Sequence, residues 1–229
     1  MNNYTIIVAG GTGSRMKGEL PKQFMLLNGK PVILYSIEAF YSYDPSVQII
    51  LVIHPSYLSL WKKMISEFRI SIPFKVAEGG PTRFDSVKNG LKLIEDDGFV
   101  AVHDAARPVI NADFLRKLFL AATTHGSAIP VVPLTDTVRI IDGDTSHQQD
   151  RAFLRAVQTP QVFKISDLQR AYTQPYQPVF TDDGSVMEAA GFPVHLTEGR
   201  PENIKITHLQ DITVAEALIK NLTTETRRT

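Results

Sequence analysis

The sequence predicts an α/β fold: a mostly parallel twisted sheet with helices on both faces, plus a projecting β-hairpin arm. The main observation is that short apolar segments rich in Ile, Val and Phe alternate with longer segments of helical periodicity. Strands separated by helical crossovers favour a parallel sheet that is covered by helices on both faces. The second observation is the dipeptide Asp142-Gly143, a strong hairpin-turn signal that follows a β-rich run and interrupts the alternation.

The predicted strands are short apolar runs: Tyr4–Val8, Val47–Ile53, Phe74–Ala77, Phe99–His103 and Ser127–Val132. The predicted helices lie between and after these strands: Pro31–Tyr41, Tyr57–Phe68, Thr82–Ile94, Asn111–His125 and Leu209–Leu222. The side-chain oxygens of Thr82 and Asn111 are expected to cap the helices that they begin. Ligands of such sheets bind beyond the carboxyl ends of the strands, so the segments that follow each strand are candidates for a binding site.

Length and composition favour one domain over residues 1–229, with an arm at about 134–155 and a disordered polar tail at about 223–229. The 24 basic and 24 acidic residues balance, which argues against bulk electrostatic binding to nucleic acid or to a membrane surface. The absence of cysteine excludes disulfides, thiolate metal sites and cysteine nucleophiles. No segment approaches the roughly 20 apolar residues of a membrane span, and the N-terminus lacks the features of a secretion signal. We therefore expect a cytoplasmic protein.

A glycine-rich loop follows the first predicted strand. It contains Gly10, Gly11 and Gly13, and it carries two cations, Arg15 and Lys22. Glycines let the backbone turn tightly and bring its N–H groups close to a ligand, and the cations add point charges for a polyphosphate. The loop therefore predicts a site that holds a triphosphate. The alternative is an ordinary glycine turn with two surface cations.

Two better-known phosphate loops do not fit this sequence. The dinucleotide fingerprint requires a third glycine, where this chain has Met16, and an acidic residue after the next strand, where it has His54-Pro55. The P-loop requires Ser or Thr after Gly-Lys, but Gly29-Lys30 is followed by Pro31. A nicotinamide oxidoreductase is therefore excluded by its own fingerprint.

Asp104 and Arg107 lie at the end of another apolar strand. A carboxylate at the carboxyl end of a strand faces the same crevice as the glycine loop. Among phosphates it suits Mg²⁺, which prefers one or two carboxylates together with phosphate oxygens and water. The alternative is a structural salt bridge between Asp104 and Arg107.

Two further segments are ambiguous from the residues alone. The glycine turn Glu78–Ser86 leads into a helix, and it suits either the reading of a nucleotide base or a plain strand-to-helix turn. Lys205 stands between two isoleucines, so in a strand its side chain points away from them, either to solvent or to the mouth of the crevice. The histidines are scattered without metal-ligand spacing, and none is given a catalytic role.

Taken together, several segments resemble one family in order and spacing, from residue 4 to about residue 220. They are Ala9–Met16, Pro21–Gln23, Asp85–Val87, His103–Pro108, Gln158–Gln161, Thr181-Asp182 and Asn203–Thr207. The chain resembles the 2-C-methyl-D-erythritol 4-phosphate cytidylyltransferases of the non-mevalonate isoprenoid pathway. Departures from the family pattern are Val8, where proline is frequent, and Gly10 and Gly184, where alanine is usual.

This resemblance implies a Rossmann-like nucleotidyltransferase fold and a defined reaction. CTP would be the co-substrate, methylerythritol phosphate the acceptor, and pyrophosphate the second product, with Mg²⁺ as the divalent cation. The attacking phosphate monoester is already anionic near neutral pH, so the reaction needs charge neutralisation and placement rather than a general base. The resemblance also implies a homodimer formed through the arm, with no nucleic-acid or membrane partner.

The resemblance gives the charged residues their expected roles. Arg15 and Lys22 would hold the triphosphate and stabilise charge at the α-phosphate, and Lys205 would neutralise that phosphate from the opposite side. These three residues are the expected catalytic groups. Asp104 would bind Mg²⁺ and lie beside both substrates, and Arg107 would support the same loop and the acceptor.

The remaining expected roles concern the base and the acceptor. Gly80 and Ser86 would contact the cytosine, and the backbone of Ala9, Gly10, Gly11 and Gly13 would approach the nucleotide. Thr137 and Arg151 match family positions that hold the incoming sugar phosphate from the partner subunit, which would make the arm part of the active site.

Two alternatives stay open at this point. A ribitol 5-phosphate cytidylyltransferase has much the same glycine loop and would use another acceptor. A catalytically silent nucleotide-binding relative would be expected to lack Lys22 or Asp104, and this chain has both.

Overall fold

The structure is a computed structural model that describes residues 2–11 and 20–226, with side chains up to residue 221. The strands are β1 Asn2–Ala9, β2 Leu26–Leu27, β3 Lys30–Pro31, β4 Gln48–Ile53, β5 Lys75–Glu78, β6 Gly98–Asp104, β7 Ser127–Pro133, β8 Val138–Asp142, β9 Thr145–Gln149, β10 Arg155–Val157, β11 Gln161–Lys164 and β12 Leu196–Glu198. The α-helices are α1 Val32–Tyr43, α2 Leu58–Glu67, α3 Arg83–Leu91, α4 Ala112–His125, α5 Ile165–Ala171, α6 Asp183–Ala189 and α7 Gln210–Thr226. Every predicted strand and helix overlaps one of these elements.

The central sheet has the strand order β10-β7-β11-β6-β1-β4-β5, and β12 pairs with β7. Strands β6, β1, β4 and β5 run parallel to one another. Strand β11 lies antiparallel between β6 and β7. The predicted mostly parallel sheet is confirmed, but the insertion of β11 was not predicted. In the parallel part, Val8 pairs with Asp104 and Ala9 with Ile53, so the carboxyl ends of three strands meet at one edge.

Two apolar layers cover the two faces of this sheet. Ile7 and Leu51 point to the layer that contains residues of α1, α2 and α4. Their neighbours Ile6 and Val52 point to the opposite layer, which contains residues of α3, α5 and α6. Since successive side chains of a strand alternate between faces, near-continuous apolar strands require helices on both sides. The predicted layering is therefore confirmed.

The two predicted helix caps are present. The side chain of Asn111 accepts a hydrogen bond from the Phe114 N–H at 2.9 Å at the start of α4. Thr82 accepts one from the Asp85 N–H at 3.1 Å, and the Asp85 carboxylate accepts from the Thr82 N–H in return. This capping box fixes the turn through which α3 begins.

The predicted hairpin is formed by β8 and β9, which pair antiparallel across Gly143 at φ +57°. Among the described residues, these two strands pair with no other strand. Large apolar side chains are exposed on and beside this arm, with Ile141 72% and Phe153 83% exposed. An isolated two-stranded hairpin is marginally stable in water, so burial of these exposed side chains against another surface would stabilise the arm.

The C-terminal part differs from the sequence expectation. Helices α5 and α6 and strand β12 were not predicted. Helix α7 continues to Thr226, into the predicted tail at about 223–229, and residues 227–229 lie outside the described range, so the disorder of that tail stays a prediction. Extending an existing helix adds one hydrogen bond for each residue that is fixed, so a polar end need not fray at once. No helix within the described residues has the length and apolarity needed to cross a membrane.

Candidate active site

A cleft of about 390 Å³ lies beyond the carboxyl ends of β1, β4, β5 and β6. Its size falls in the range of small-molecule sites. Sequence-predicted residues line it: Ala9, Gly10, Gly11, Lys22, Gly80, Ser86, Asp104 and Lys205. Gly13 and Arg15 lie outside the described residues. The fold therefore brings together the segments that follow four separate strands.

The backbones at the base of this cleft are in close contact. A Cβ on Gly10 would lie 3.0 Å from the Ser86 hydroxyl oxygen, and a Cβ on Gly79 would lie 3.3 Å from the Gly10 Cα. The Gln23 side chain donates to the carbonyl oxygens of Ala9 and Gly11 at 2.9 and 3.0 Å. The sequence reasoning gave Gln23 no role, although it lies in the Pro21–Gln23 motif. It fixes the start of the glycine loop from inside, since only 3% of it is exposed.

Ser86 holds the second glycine turn together. Its hydroxyl accepts from the Gly80 N–H at 3.1 Å and donates to the Thr82 carbonyl at 2.9 Å. A Cβ on Gly80 would lie 2.3 Å from the Asp85 Cβ, so the turn requires glycine at that position. A hydroxyl has one proton and two lone pairs, so Ser86 retains one acceptor at the cleft wall. The segment is thus both a strand-to-helix turn and part of the cleft.

Among the residues that the structure describes, Asp104 forms salt bridges with two cations. Its Oδ2 lies 2.6 Å from Lys205 Nζ, and its Oδ1 lies 3.4 Å from Arg83 Nε. Burial opposes ionisation, but these cations outweigh it and hold the pKa of the Asp104 carboxyl well below its usual range. The salt bridge that the sequence offered as an alternative, with Arg107, is replaced by pairs to Arg83 and Lys205. Arg83 was not predicted as a site residue.

Arg83 is itself held by a second acid. Its Nη1 and Nη2 donate to the two carboxylate oxygens of Asp183 at 2.9 and 2.6 Å, in a bidentate pair. The Asp183 side chain is fully buried and also accepts a hydrogen bond from the Tyr172 hydroxyl at 2.6 Å. Burial and Asp183 raise the pKa of Tyr172 well above its ordinary value, so this phenol is a hydrogen-bond donor.

A buried hydrogen-bond chain fixes the loop after β6. The Asp104 N–H donates to the Thr159 hydroxyl at 3.0 Å, and that hydroxyl lies 3.1 Å from His103 Nδ1. His103 Nε2 lies 3.1 Å from the Arg107 carbonyl oxygen, which only accepts, so Nε2 carries the proton and Nδ1 accepts. Burial lowers the pKa of His103 to about 3, which keeps the ring neutral. His103 therefore positions the loop and is not a general base.

The segment that carries Lys205 is anchored by polar groups and is not a strand, so the strand geometry considered from the sequence does not apply. Asn203 is fully buried, and its side chain donates to the Thr159 carbonyl at 2.8 Å. Arg107 donates to the Asn203 carbonyl at 2.7 Å. The Ile206 N–H donates to the Ala106 carbonyl at 2.8 Å. These bonds hold Lys205 against the loop of Asp104.

A second cleft of about 250 Å³ adjoins the first. It is lined by Arg107, Val157, Gln158, Thr159, Gln161, Thr181 and Asp182, and it shares Arg83, Asp104 and Lys205 with the first cleft. These three shared residues form a charged wall between the two clefts. Thr137 and Arg151 lie by the exposed arm, where Arg151 donates to the Thr135 carbonyl, and they line neither cleft.

Residues 4–221 match the sequence profile of a known family, described as IspD: 2-C-methyl-D-erythritol 4-phosphate cytidylyltransferase. The chain belongs to this family. The cytidylyltransferase of that name from Bacteroides thetaiotaomicron is 46% identical over 219 residues, which cover 96% of this chain and 100% of the relative. The family and the enzyme class expected from the sequence are therefore confirmed.

Solved structures of the same family share the fold. The 4-diphosphocytidyl-2C-methyl-D-erythritol synthase of Anaerococcus prevotii has a TM-score of 0.81 at 25% identity and covers 96% of both chains. The 2-C-methyl-D-erythritol 4-phosphate cytidylyltransferase of Francisella tularensis has a TM-score of 0.79 at 28% identity, over 95% of this chain and 100% of that chain. These likenesses confirm the α/β fold class expected for a member of this family.

The donor set of the first cleft fits a divalent cation that is held mainly by substrate. The described residues contain no cluster of three or more acidic or histidine side chains that would form a complete protein cage. Asp104 lines the cleft and stays ionised. Mg²⁺ is commonly held by one carboxylate together with phosphate oxygens and water, which is the arrangement that these residues allow.

The buried neutral His103 makes stability depend on pH. Its pKa of about 3 in the folded chain lies below the ordinary value of 6.5, so below pH 6.5 the unfolded chain binds a proton that the folded chain does not. The stability that the neutral His103 contributes is fully present above the unfolded pKa of 6.5, and it is lost as the pH falls below that value. From about pH 7 to about pH 5 this linkage removes about 2 kcal/mol.

The measurement is urea unfolding of the parent and of His103→Gln at both pH values. The other titrating groups are common to the two proteins. We therefore expect the difference in the free energy of unfolding between parent and variant to be about 2 kcal/mol smaller at the lower pH. A deficit that is equal at the two pH values would contradict a buried neutral His103.

Proposed function

We propose that this chain transfers CMP from CTP to 2-C-methyl-D-erythritol 4-phosphate and releases pyrophosphate. The observation that carries the proposal is the pair of adjoining clefts with the common wall of Arg83, Asp104 and Lys205. A transferase must hold a nucleotide and an anionic acceptor side by side with their charge neutralised between them. Family membership supports CTP and a sugar-alcohol phosphate as the two substrates.

CTP takes the glycine-lined cleft. The backbone of Ala9, Gly10 and Gly11 supplies close approach to the nucleotide, and Lys22 supplies a point charge for the triphosphate. The role proposed for Arg15 and Gly13 rests on the family motif, since both lie outside the described residues.

Ser86 supports a preference for cytosine. Because its proton is committed to the Thr82 carbonyl, the hydroxyl offers only an acceptor to the base. Cytosine presents an amino donor at its position 4, whereas uracil presents a carbonyl acceptor there. A uracil would place two acceptors opposite each other without a proton between them. The Gly80–Ser86 turn therefore favours CTP over UTP.

The acceptor phosphate takes the second cleft, beside Arg107 and Lys205. An oxygen of this phosphate attacks the α-phosphorus of CTP, the bond from that phosphorus to the bridging oxygen breaks, and pyrophosphate leaves. The attacking oxygen is already anionic, so no proton has to be removed, and the neutral, fully bonded His103 is not needed as a base. Lys205 lies between the clefts, where negative charge accumulates.

Asp104 would hold Mg²⁺ together with the phosphates of CTP. The cation, when bound, supplies Lewis-acid neutralisation of the phosphate oxygens. The pKa of Asp104, which the neighbouring cations hold well below its usual range, keeps this ligand charged near neutral pH.

The arm supports a homodimer. Ile141 and Phe153 are 72% and 83% exposed, and a second copy of the chain would cover such groups. Thr137 and Arg151 line neither cleft within one chain, which agrees with the proposal that they reach the acceptor of the partner subunit. The cytoplasmic location expected from the sequence stays a prediction.

The deciding experiment is pyrophosphate release by the purified protein with CTP and Mg²⁺. We expect release with methylerythritol 4-phosphate and not with ribitol 5-phosphate. Release with ribitol 5-phosphate alone would keep the chemistry but change the acceptor. Silence with both acceptors, while CTP still binds, would favour a silent nucleotide-binding relative.

Replacement of Ser86 tests its proposed role in recognition of the cytosine base. Ser86→Ala removes the acceptor that faces the cytosine amino group, so the ratio of kcat/KM for CTP to that for UTP should fall by about tenfold. Thr82→Ala is the matched control, because it removes a cap of α3 but leaves the backbone carbonyl that Ser86 uses. The ratio should stay unchanged in this control. An unchanged ratio in Ser86→Ala would remove Ser86 from base recognition.

Replacement of Arg151 tests the reach of the arm. Arg151→Ala should raise the KM for the acceptor by about tenfold and the KM for CTP far less, since a charged contact to the acceptor alone is lost. Arg155→Ala is the control, because within the described residues that exposed side chain donates to the carbonyls of residues 152 and 154, outside both clefts. Equal increases in the KM values for CTP and for the acceptor in Arg151→Ala would contradict the proposal that Arg151 binds the acceptor.

A further inference from the structure

We infer that Arg83 is a positioning residue of this reaction: it keeps Asp104 compensated and oriented while Lys205 turns from Asp104 to the phosphates. The inference rests on the proposed function. Arg83 lines both clefts and reaches two carboxylates from elements distant in sequence. Nothing in the local pattern of its segment required a cation there.

The position of Arg83 on its helix is electrostatically unusual. It is the first residue of α3, and the N-terminus of a helix favours negative charge and disfavours cations. The capping box of Thr82 and Asp85 already supplies what this helix start needs. Arg83 is therefore explained by its two acidic partners, Asp183 and Asp104, rather than by helix formation.

The two acidic partners act differently on Arg83. The Asp183 carboxylate is fully buried and accepts hydrogen bonds from both terminal nitrogens of the Arg83 guanidinium. This bidentate pair fixes the plane and direction of the Arg83 side chain. The remaining nitrogen, Nε, is directed at Asp104 Oδ1 at 3.4 Å. The planar guanidinium of Arg83, fixed by Asp183, thus places a positive charge at a constant position beside Asp104.

The two cations on Asp104 differ in mobility. Arg83 is locked by Asp183, whereas Lys205 has a flexible stem, and 38% of its side chain is exposed. The two cations also occupy different oxygens of Asp104, Oδ1 and Oδ2. Lys205 is therefore the cation that moves when phosphates enter, and Arg83 is the one that stays.

The fixed charge of Arg83 lowers the cost of that exchange. Without it, Asp104 would have no paired protein cation when Lys205 leaves and before the divalent cation binds, and a largely buried carboxylate would hold Lys205 back. With it, Asp104 keeps a counter-charge in one orientation, and Lys205 becomes available to the reacting phosphate. The expected effect is on the rate of the bound complex rather than on the affinity for either substrate.

The test compares two conservative variants that disturb the same buried acid. Arg83→Lys keeps the charge but cannot form the fork and reach Asp104 at once. Tyr172→Phe removes one hydrogen bond to Asp183 from the other side and leaves Arg83 and Asp104 in place. Steady-state pyrophosphate release with CTP and methylerythritol 4-phosphate is measured beside thermal unfolding. We expect both variants to lose thermal stability, but kcat to fall only in Arg83→Lys, by about tenfold, with both KM values within about twofold.

Other outcomes would overturn the inference. Equal kcat in Arg83→Lys and Tyr172→Phe would make Arg83 a structural residue only. A rise in the KM for CTP with unchanged kcat would make Arg83 a direct ligand of the nucleotide. If Arg83→Lys does not fold, Asp183→Asn, which weakens the anchor with a neutral isostere, should give the same fall in kcat, and an unchanged kcat there overturns the inference. An inactive parent protein would instead overturn the proposed function on which the inference depends.

Discussion

The arrangement of the site depends on one constraint: two buried acidic side chains, Asp104 and Asp183, share the cation Arg83. Moving a carboxylate out of water is costly, and only nearby cations in good geometry offset that cost. The chain supplies these cations from α3 and from the segment after β12, through Arg83 and Lys205. Each acid therefore fixes where distant segments lie. The same charges that make the packing acceptable also line the two clefts, so folding and substrate binding use one set of residues.

Neutral polar groups complete this constraint around the loop of Asp104. His103 and Thr159 fix the backbone on one side, and Asn203 and Gln158 hold the Lys205 segment on the other. Within the described part of the chain, Arg107 Nε and Asn203 Oδ1 are buried and form no hydrogen bond to another protein group. A network that fixes a charged wall is what a site needs when it works by preorganised charge.

Much of the fold could be predicted because its signals are local. The strands of the parallel core alternate with helices of clear periodicity, and the caps at Thr82 and Asn111 follow from residue type. Strand β11 and helix α6 are short and stand outside this alternation, which is the pattern from which the equally short β5 was predicted. The position of β11 depends on pairing with β6 and β7, which no local pattern specifies.

The site was predictable where a motif carries the chemistry and not where a long-range contact does. Glycine positions and a strand-terminal acid are visible in sequence, so Gly80 and Asp104 were found. Arg83 was missed because its anchor, Asp183, lies 100 residues away and because a lone arginine at a helix start resembles a surface charge. The local alternative paired Asp104 with Arg107, three residues on. The folded chain instead gives Asp104 two cations from separate segments, and that choice turns an ordinary ion pair into a wall between two clefts. Because Asp104 keeps Arg83 when Lys205 leaves, Lys205 can pair with the reacting phosphate, and phosphoryl transfer depends on charge placed in this way.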